Sequence, residues 1–448
     1  MTSLSVAIII VFIAGYACIA GETLTKVNKA AVALLMCVAC WTLFMIDPGQ
    51  YVAMHAPELV AGAAAISEHV SGALREHLGE TSETLFFLMG AMTIVEIIDY
   101  NGGFKFVRNM LRTTSERKLL WRVAFMTFFL SAILDNLTSS IVMVMVLRKL
   151  VDDRKAMLIY CGTIVIAANS GGAFSPIGDV TTIMLWIKGL VTTQGVITEI
   201  FLPSLVSMVI PVLIMQMWLK GNLAPVGTEE TGATQQFSDA QCRAIFFLGV
   251  GGLIFVPIFR GLTSLPPFMG ILLVLGVLWT VTEVFHHRTV TKSTAMARVT
   301  DLLSRIDMAT ILFFLGILMA VACLAEIGAL TALGSGLEHV SGGNHYIVTG
   351  SIGVISSIVD NVPLVAGCMG MYPVAPTGDM AVDGIFWQLL AYCAGVGGSI
   401  LIIGSAAGVV VMGLEKITFG WYLKHVSWVA FAGYIAGMAT YWAGTLVR

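Results

Sequence analysis

Long apolar runs dominate this chain and limit how it can fold. An α-helix needs ~20 apolar residues to cross a bilayer. Hydrophobic residues make up 57% of the chain and charged residues only 11%, so lipid must be its main solvent. We therefore predict an all-α polytopic membrane protein with about ten crossing helices. The apolar runs are Leu4–Ala20, Ala30–Ile46, Leu85–Ile98, Val123–Leu147, Met157–Ile187, Ile200–Leu219, Ala244–Phe259, Phe268–Phe285, Met308–Ala325, Tyr346–Val374, Ile385–Leu414 and Val426–Val447.

The basic residues predict the orientation, because lysine and arginine accumulate in cytoplasmic loops. Of the 24 lysines and arginines, all but Arg75, Lys188, Arg260 and Arg448 can be placed on one side, with both chain termini on the other, outer side. The predicted cytoplasmic residues are Lys26, Lys29, Lys105, Arg108, Arg112, Arg117, Lys118, Arg122, Arg148, Lys149, Arg154, Lys155, Lys220, Arg243, Arg288, Lys292, Arg298, Arg305, Lys416 and Lys424.

Two apolar runs cannot cross the bilayer once without breaking this charge rule. Val123–Leu147 has basic clusters on both sides, which predicts a re-entrant hairpin opening to the cytoplasm with Asp135 at its midpoint. Tyr346–Val374 has acidic but no basic flanks, which predicts a hairpin opening outward with Asp360 at its midpoint. The alternative is that each run is one ordinary crossing helix.

The two halves of the chain resemble each other at a nearly constant spacing. Leu85-Phe86-Phe87-Leu88 matches Leu312-Phe313-Phe314-Leu315, and Asp135-Asn136 matches Asp360-Asn361. Gly171-Gly172 with Gly178 likewise matches Gly397-Gly398 with Gly404. With the predicted orientation the halves run antiparallel. Inverted repeats with interrupted helices are typical of secondary transporters.

These observations predict the domain organisation. The first repeat is residues 1–221, with scaffold helices 4–46 and a transport unit 84–219 that contains the cytoplasmic-side hairpin 123–147. Residues 222–241 form the linker. The second repeat is residues 242–448, with scaffold helices 244–285 and a transport unit 308–447 that contains the outer-side hairpin 346–374. The mixed polar and apolar segment Pro57–Leu78 predicts a surface helix outside the membrane.

Two hairpin tips and two glycine-rich stretches (Ala168–Thr182 and Gly395–Gly408) carry polar residues where hydrocarbon is expected. Broken helices leave carbonyl groups that must face a cavity or an ion. Together with carboxylate, amide and hydroxyl oxygens they favour a hard cation such as sodium. The histidines lie in loops, at helix ends or in the surface helix, and Cys37 and Cys40 lack a second pair, so a zinc site is not expected.

A carboxylate at the bilayer centre costs at least ~2.5–3.5 kcal/mol, so Asp135, Asp179 and Asp360 need a reason to be there. A low-dielectric site favours the protonated carboxyl group and a bound cation favours the ionised one. One carboxylate can therefore hold either a proton or a cation, which gives exchange. The alternative is that these residues only cap half-helices. Glu96 lies deep enough in its run to join a proton path.

With these motifs in hand, the chain resembles the NhaD-type sodium/proton antiporters of the ion transporter superfamily, which also contains arsenite permeases and dicarboxylate carriers. The likeness covers nearly the whole chain. It is most specific in ETLFFLMGAMTIVEIIDYNGGF (Glu83–Phe104), in Asp135-Asn136-Leu137-Thr138-Ser139 and in ANSGGAFSPIGDVTT (Ala168–Thr182).

The resemblance implies a bacterial inner membrane protein that forms a homodimer through its scaffold and carries Na⁺ or Li⁺ and H⁺ without a cofactor. Sodium itself is expected at Asp135, Asn136, Asn169, Asp360 and Asn361. The full set of candidate cation- and proton-binding residues, including two serines of the second glycine-rich stretch, is Asp135, Asn136, Thr138, Asn169, Ser175, Asp179, Thr182, Asp360, Asn361, Ser399 and Ser405.

Two other functions compete with cation exchange. An arsenite or dicarboxylate permease would favour positive groups at the midplane, yet neither hairpin tip nor either glycine-rich stretch contains lysine or arginine. Helix N-termini could still bind an anion. An intramembrane aspartyl protease also buries two aspartates, but Pro176 stands where the first glycine of a G-x-G-D motif should be, and we expect no enzyme activity.

Overall fold

The computed structural model describes residues 3–20, 26–49, 63–104, 107, 110–111, 113–148, 150–219, 221, 237–289, 299–358 and 361–446. Within these ranges the regular structure is helical and contains no β-strand, which confirms the all-α prediction. The helices of eight or more residues are α1 (Ser3–Ala20), α2 (Lys29–Phe44), α3 (Ala63–Tyr100), α4 (Glu116–Leu134), α5 (Asn136–Leu147), α6 (Arg154–Ala173), α7 (Val180–Ile187), α8 (Thr193–Met215), α9 (Asp239–Thr263), α10 (Pro267–Thr289), α11 (Met308–Glu326), α12 (Ala329–Ser341), α13 (His345–Ser356), α14 (Asn361–Met371), α15 (Ile385–Gly397), α16 (Ala406–Leu414) and α17 (Trp428–Thr445).

Six helical segments in the described part of the chain are long and apolar enough to cross a membrane. Several other apolar helices are shorter, among them α5 and α14, the second halves of the two interrupted runs. The predicted surface helix at Pro57–Leu78 is not a separate element: residues 57–62 lie outside the described residues, and the remainder is continuous with the Leu85 run in α3. At 38 residues, α3 is longer than a bilayer crossing requires, so one end extends beyond it.

The first interrupted run folds back on itself. Asp135 separates α4 from α5 with a φ of 86° and a ψ of 161°, which no helix can contain. The Tyr160 hydroxyl, near the start of α6, donates to the Glu116 carbonyl at the start of α4. Arg148, which follows α5, pairs with Glu415, and so does the first residue of α6. Both ends of the run therefore lie at one place, which we name the Glu415 end.

The second interrupted run has the same form. The rings of His345 at the start of α13 and Tyr372 just after α14 contact Phe386, with ring centroids 5.7 and 4.7 Å apart. Both ends of this run therefore meet at the start of α15. We name this place the Asp383 end, after the residue that precedes α15. Residue 360, the predicted midpoint, lies outside the described residues.

The two repeats run in opposite directions. Helix α6 begins at the Glu415 end, and the chain that follows α7 reaches the Asp383 end, where the Asp383 amide donates to the Leu190 carbonyl and the Thr192 amide to the Asp383 carboxylate. Helix α15 begins at the Asp383 end, and α16 finishes at Glu415. The broken helix of each repeat thus ends beside the base of the other repeat's hairpin, as the inverted repeat predicts.

Equivalent contacts hold each hairpin against its broken helix. The Ser131 hydroxyl donates to the Ala168 carbonyl at 2.6 Å, and the Ser356 hydroxyl donates to the Ala394 carbonyl at 2.9 Å. Gly171 lies so near α4 that a Cβ there would be 2.1 Å from a backbone oxygen. The same substitution at Gly397 would meet a backbone oxygen of α13 at 2.1 Å. Glycine at these two matching positions therefore allows each hairpin to pack closely against its broken helix.

Helices α2 and α11 pack together at the side of this bundle, where the Trp41 indole donates to the Met319 carbonyl at 2.8 Å. Helices α9 and α10 pack against α3 through small residues such as Gly90 and Gly249, which face Ile271 and Ile98. Residues 222–236 of the predicted linker lie outside the described residues, and α9 begins at Asp239.

Candidate functional site

The tips of both hairpins meet at one buried carboxylate, Asp179. The Asn136 amide, at the start of α5, donates to Asp179 Oδ2 at 2.6 Å. The Asn361 amide, at the start of α14, donates to Asp179 Oδ1 at 3.4 Å. Asp179 lies in the break between α6 and α7 and is 1% exposed. A single side chain therefore joins elements of both repeats.

A third asparagine extends this group to the break of the second repeat. Asn169 accepts from the Asn136 amide at 3.1 Å and donates to the Ser405 hydroxyl at 3.0 Å. We call Asn136, Asn169, Asp179, Asn361 and Ser405 the Asp179 cluster. All five residues are buried. Five residues that are distant in sequence thus form one connected polar group inside the apolar bundle.

Thr181 fixes the Asp179 carboxylate and is a residue that the sequence candidates omit. Its backbone amide and its hydroxyl donate to Asp179 Oδ1 at 2.9 and 2.8 Å. This is the N-cap arrangement of α7, in which an aspartate accepts from the first turn of the helix. The Asp-x-Thr spacing after a glycine turn was the available signal. The second Asp179 oxygen is left to face Asn136.

Asp135 lies beside the cluster and has a different role in this conformation. Its two carboxylate oxygens accept from the Thr138 amide at 2.7 Å and the Thr138 hydroxyl at 2.8 Å. It is half-buried and lies within electrostatic range of Asp179. In this geometry Asp135 caps α5, and its place in the sodium set with Asn136 and Asn169 stays a prediction. Asp360, its predicted partner, lies outside the described residues.

The remaining candidates lie around the cluster. The Ser175 hydroxyl accepts from the Ile177 amide within the first break. The Thr182 hydroxyl donates to the Ala173 carbonyl at 3.5 Å across the same break. The Ser399 hydroxyl donates to Val396 in its own turn. These three contacts shape the breaks.

Glu96, the candidate for a proton path, lies on α3 and pairs with Arg305 at 3.5 Å. The side chain of Arg305 is 53% exposed. This ion pair is therefore at the periphery and not among the groups that contact Asp179.

The cluster offers only oxygen and amide groups to a ligand. Each asparagine can present a carbonyl oxygen or an NH₂ group to the same place by turning its amide through half a turn. A cation arriving at Asp179 would attract the carbonyl oxygens, and its departure would favour the donating orientation seen here. Among the described residues no group of three or more His, Cys, Asp or Glu side chains is placed to hold a metal, so amide and hydroxyl oxygens would have to contribute.

Comparisons with known proteins agree with this architecture. Residues 8–389 match the sequence profile of a family described as citrate transporter. "Sodium/proton antiporter 2" of Arabidopsis thaliana is 42% identical, with 96% of this chain and 97% of that protein covered. The Na⁺/H⁺ antiporter NhaD of Alkalimonas amylolytica is 31% identical, covering 97% and 89%. The chain belongs to the NhaD family of the ion transporter superfamily. This membership confirms the resemblance inferred from the motifs.

A second plant protein is also similar. "Sodium/proton antiporter 1" of Arabidopsis thaliana is 44% identical over 438 residues, which are 98% of this chain and 72% of that protein. The YdaH transporter of Alcanivorax borkumensis has the same fold, with a TM-score of 0.53 at 14% identity over 86% of this chain and 90% of that one. The fold similarity confirms that this member of the NhaD family is a polytopic membrane protein.

Proposed function

We propose that this protein is a secondary active antiporter that exchanges Na⁺ or Li⁺ for H⁺. The observation that carries the proposal is Asp179, a buried carboxylate that accepts from two side-chain amides, a hydroxyl and a backbone N–H at the point where both hairpin tips meet. The sodium/proton antiporters among its relatives support the same exchange.

Exchange follows if one carboxylate serves both ions. In a low-dielectric site an ionised carboxylate is costly, so it must be neutralised by a proton or by a cation. Asp179 supplies the charge, and Asn136 and Asn169 supply further oxygens. Asp135 is near enough to bias this choice by repulsion, which makes it the second candidate for the proton. Binding of one ion therefore excludes the other and couples their movements.

The inverted repeat supplies a route to alternating access. The hairpins and broken helices form a unit that reaches both the Glu415 and Asp383 ends, and movement of this unit against the scaffold would expose the Asp179 cluster to each side in turn. The proposed organisation keeps residues 1–221 and 242–448 as the two repeats, joined by residues 222–241. The proposed assembly is a homodimer formed through scaffold helices.

The proposed orientation places the Glu415 end at the cytoplasm, because Arg148 and Arg154 lie there and basic residues favour that side. Both termini would then be on the outer side of a bacterial inner membrane. A protease-cleavable tag at either terminus tests this orientation in spheroplasts, where the outer face of the inner membrane is accessible to added protease.

An anion permease remains the competing function, because the matching family profile is described as citrate transporter. Helices α5, α7, α14 and α16 all begin at or beside the Asp179 cluster, and helix N-termini favour negative charge. Asp135 and Asp179 already supply that charge as the caps of α5 and α7. Two carboxylates at the tip would repel a citrate or arsenite anion, so the geometry favours a cation.

The deciding experiment uses proteoliposomes with an imposed pH gradient. Addition of Na⁺ or Li⁺ should dissipate the gradient with wild-type protein, whereas K⁺, citrate and arsenite should not. Asp179→Asn should abolish the response, and Thr198→Ala, a change in an exposed hydroxyl on α8, should not. The apparent KM for Na⁺ should rise as pH falls, because protons compete for the same carboxylate. Wild-type protein that ignores Na⁺ and carries citrate would establish the permease instead.

A further inference from the structure

A serine in the first turn of α5 has a hydroxyl without a hydrogen-bond partner. Ser139 is 0% exposed, and its Oγ has no partner among the described residues. A buried polar atom left unsatisfied costs about 1–3 kcal/mol. Each such atom calls for an explanation, such as a buried water, a ligand or a step that the observed conformation does not contain.

The neighbouring serine shows the contact that Ser139 lacks. A serine in a helix usually donates to the carbonyl four residues earlier, as Ser140 does to the Asn136 carbonyl at 2.7 Å. The corresponding acceptor for Ser139 is the carbonyl of Asp135, which lies outside the helix and accepts the Ser139 backbone amide at 3.2 Å. The hairpin tip therefore satisfies the Ser139 backbone and leaves its hydroxyl available.

Ser139 lies on the face of α5 that carries Asn136. Residues three apart on a helix are neighbours on one side, and both side chains are buried. The next position along, Leu137, is only half-buried. The hydroxyl is therefore one helical turn from a member of the Asp179 cluster, on the buried side of the helix.

The second repeat shows that the hairpin fold does not require this hydroxyl. The spacing that aligns Asn136 with Asn361 aligns Ser139 with Leu364, on the first turns of α5 and α14. An apolar side chain thus occupies the same position in a hairpin of the same form. The serine needs an explanation that applies to the first repeat alone.

We propose that Ser139 Oγ is a ligand of the transported cation and moves into its coordination shell when the cation binds at Asp179. This inference rests on the proposed Na⁺/H⁺ exchange. It adds a neutral hard oxygen to the carboxylate and amide oxygens, which is the donor type that small hard cations prefer. This ligand position is specific to the first repeat, because the aligned residue in the second repeat is Leu364, whose side chain has no oxygen.

The test compares two adjacent serines in proteoliposomes, with initial rates of Na⁺- and Li⁺-dependent dissipation of a pH gradient. Ser139→Ala should raise the apparent KM for Na⁺ about tenfold, as expected for loss of one contact to a charged group. Ser140→Ala removes an equally buried hydroxyl whose bond is to its own helix, and its KM should stay within about twofold of wild type.

Ser139→Cys guards against a folding defect in the alanine variant, because it keeps the size of the side chain and replaces a hard oxygen with a soft sulfur. It should show the same rise in KM. Loss of one ligand should also alter the ratio of the Na⁺ and Li⁺ KM values, since ligand number and cavity size set selectivity among hard cations. A purely structural serine would leave that ratio unchanged.

The outcomes separate this inference from the function on which it rests. Wild-type protein without Na⁺- or Li⁺-dependent exchange would overturn the proposed function itself. Active wild-type protein with unchanged KM values and an unchanged Na⁺/Li⁺ ratio in Ser139→Ala and Ser139→Cys would overturn only the ligand role. The Ser139 hydroxyl would then be satisfied by a buried water.

Discussion

The two repeats share their framework and differ in their chemistry. Where the first repeat has Asn169 and Asp179 in its broken helix, the second has Gly395 and Ser405 at the aligned positions. Both repeats keep the glycines and the serine-to-carbonyl contact that seat the hairpins. The shared glycines and serines therefore build the inverted fold, and the two aligned positions that differ, Asn169/Gly395 and Asp179/Ser405, lie at or beside the Asp179 cluster.

The second repeat contributes side chains to the polar cluster of the first repeat and does not repeat its chemistry. Asn361 donates to Asp179, and Ser405 accepts from Asn169, so both point across the repeat boundary. The aligned position of Thr181, which holds the carboxylate, is Ala407. Among the described residues, Asp179 is thus one carboxylate that is contacted by side chains from both repeats. We propose a single cation site centred on it.

The largest expected effect comes from removing the carboxylate that distinguishes the repeats. Asp179→Asn should reduce Na⁺/H⁺ exchange at least ~100-fold, because the fully buried carboxylate at which both hairpin tips meet would be lost and only the half-buried Asp135 would carry charge nearby. A ~100-fold loss corresponds to about 2.7 kcal/mol. Ser405→Ala, at the aligned position, should raise the KM for Na⁺ only about threefold, since it loses one neutral hydrogen bond. Exchange rates in proteoliposomes measure both. Equal losses in the two variants would contradict a single site in the first repeat.

The next largest effect concerns the matched glycines that both repeats share. Gly171→Ala and Gly397→Ala should each destabilise the protein by about 1–3 kcal/mol, because each new methyl group would overlap a hairpin backbone. Gly276→Ala on α10, where nothing lies within 4 Å of the added methyl, should be neutral or stabilising. Thermal unfolding in detergent measures all three. Tolerance at only one of the two matched glycines would show that the framework is less symmetric than the contacts indicate.

The sequence predicted the framework well because its signals are local. Basic clusters on both sides of one apolar run required a chain that doubles back, and the observed break falls at Asp135, the predicted midpoint. The choice among carboxylates was harder, because both Asp135 and Asp179 precede a half-helix and look alike in sequence. Only the packing of the tips shows that Asn136 and Asn361 both meet Asp179. Thr181 was missed for the same reason: the sequence did not show which carboxylate is central, so the residue that contacts it could not be identified.

The C-terminal ends of the two broken helices are held differently, although in each case arginine donates to the last carbonyls. Arg148, after α5, and Arg154, at the start of α6, contact the Glu415 carboxylate and the carbonyls of Leu414 and Glu415 at the end of α16. At the other end Arg260 of α9 donates to the Trp186 carbonyl at 2.6 Å and lies over the Trp186 ring. The first clamp is internal to the proposed moving unit, whereas the second joins it to a predicted scaffold helix.

The smallest expected effects come from breaking these two arginine contacts. The contact at Glu415 should act mainly on stability and the contact of Arg260 on turnover. Glu415→Gln should cost roughly 1–2 kcal/mol of stability, because the carboxylate is buried but its arginines are about half exposed. Arg260→Gln should lower stability by no more than roughly 1 kcal/mol and raise turnover up to about fivefold, since a cation–π contact and a charged hydrogen bond of about that worth would no longer oppose motion of α7 past α9. Thermal unfolding and exchange at saturating Na⁺ measure the two quantities. If Arg260→Gln instead destabilised the protein without altering turnover, α9 and α7 would move as one body and the scaffold boundary would lie elsewhere.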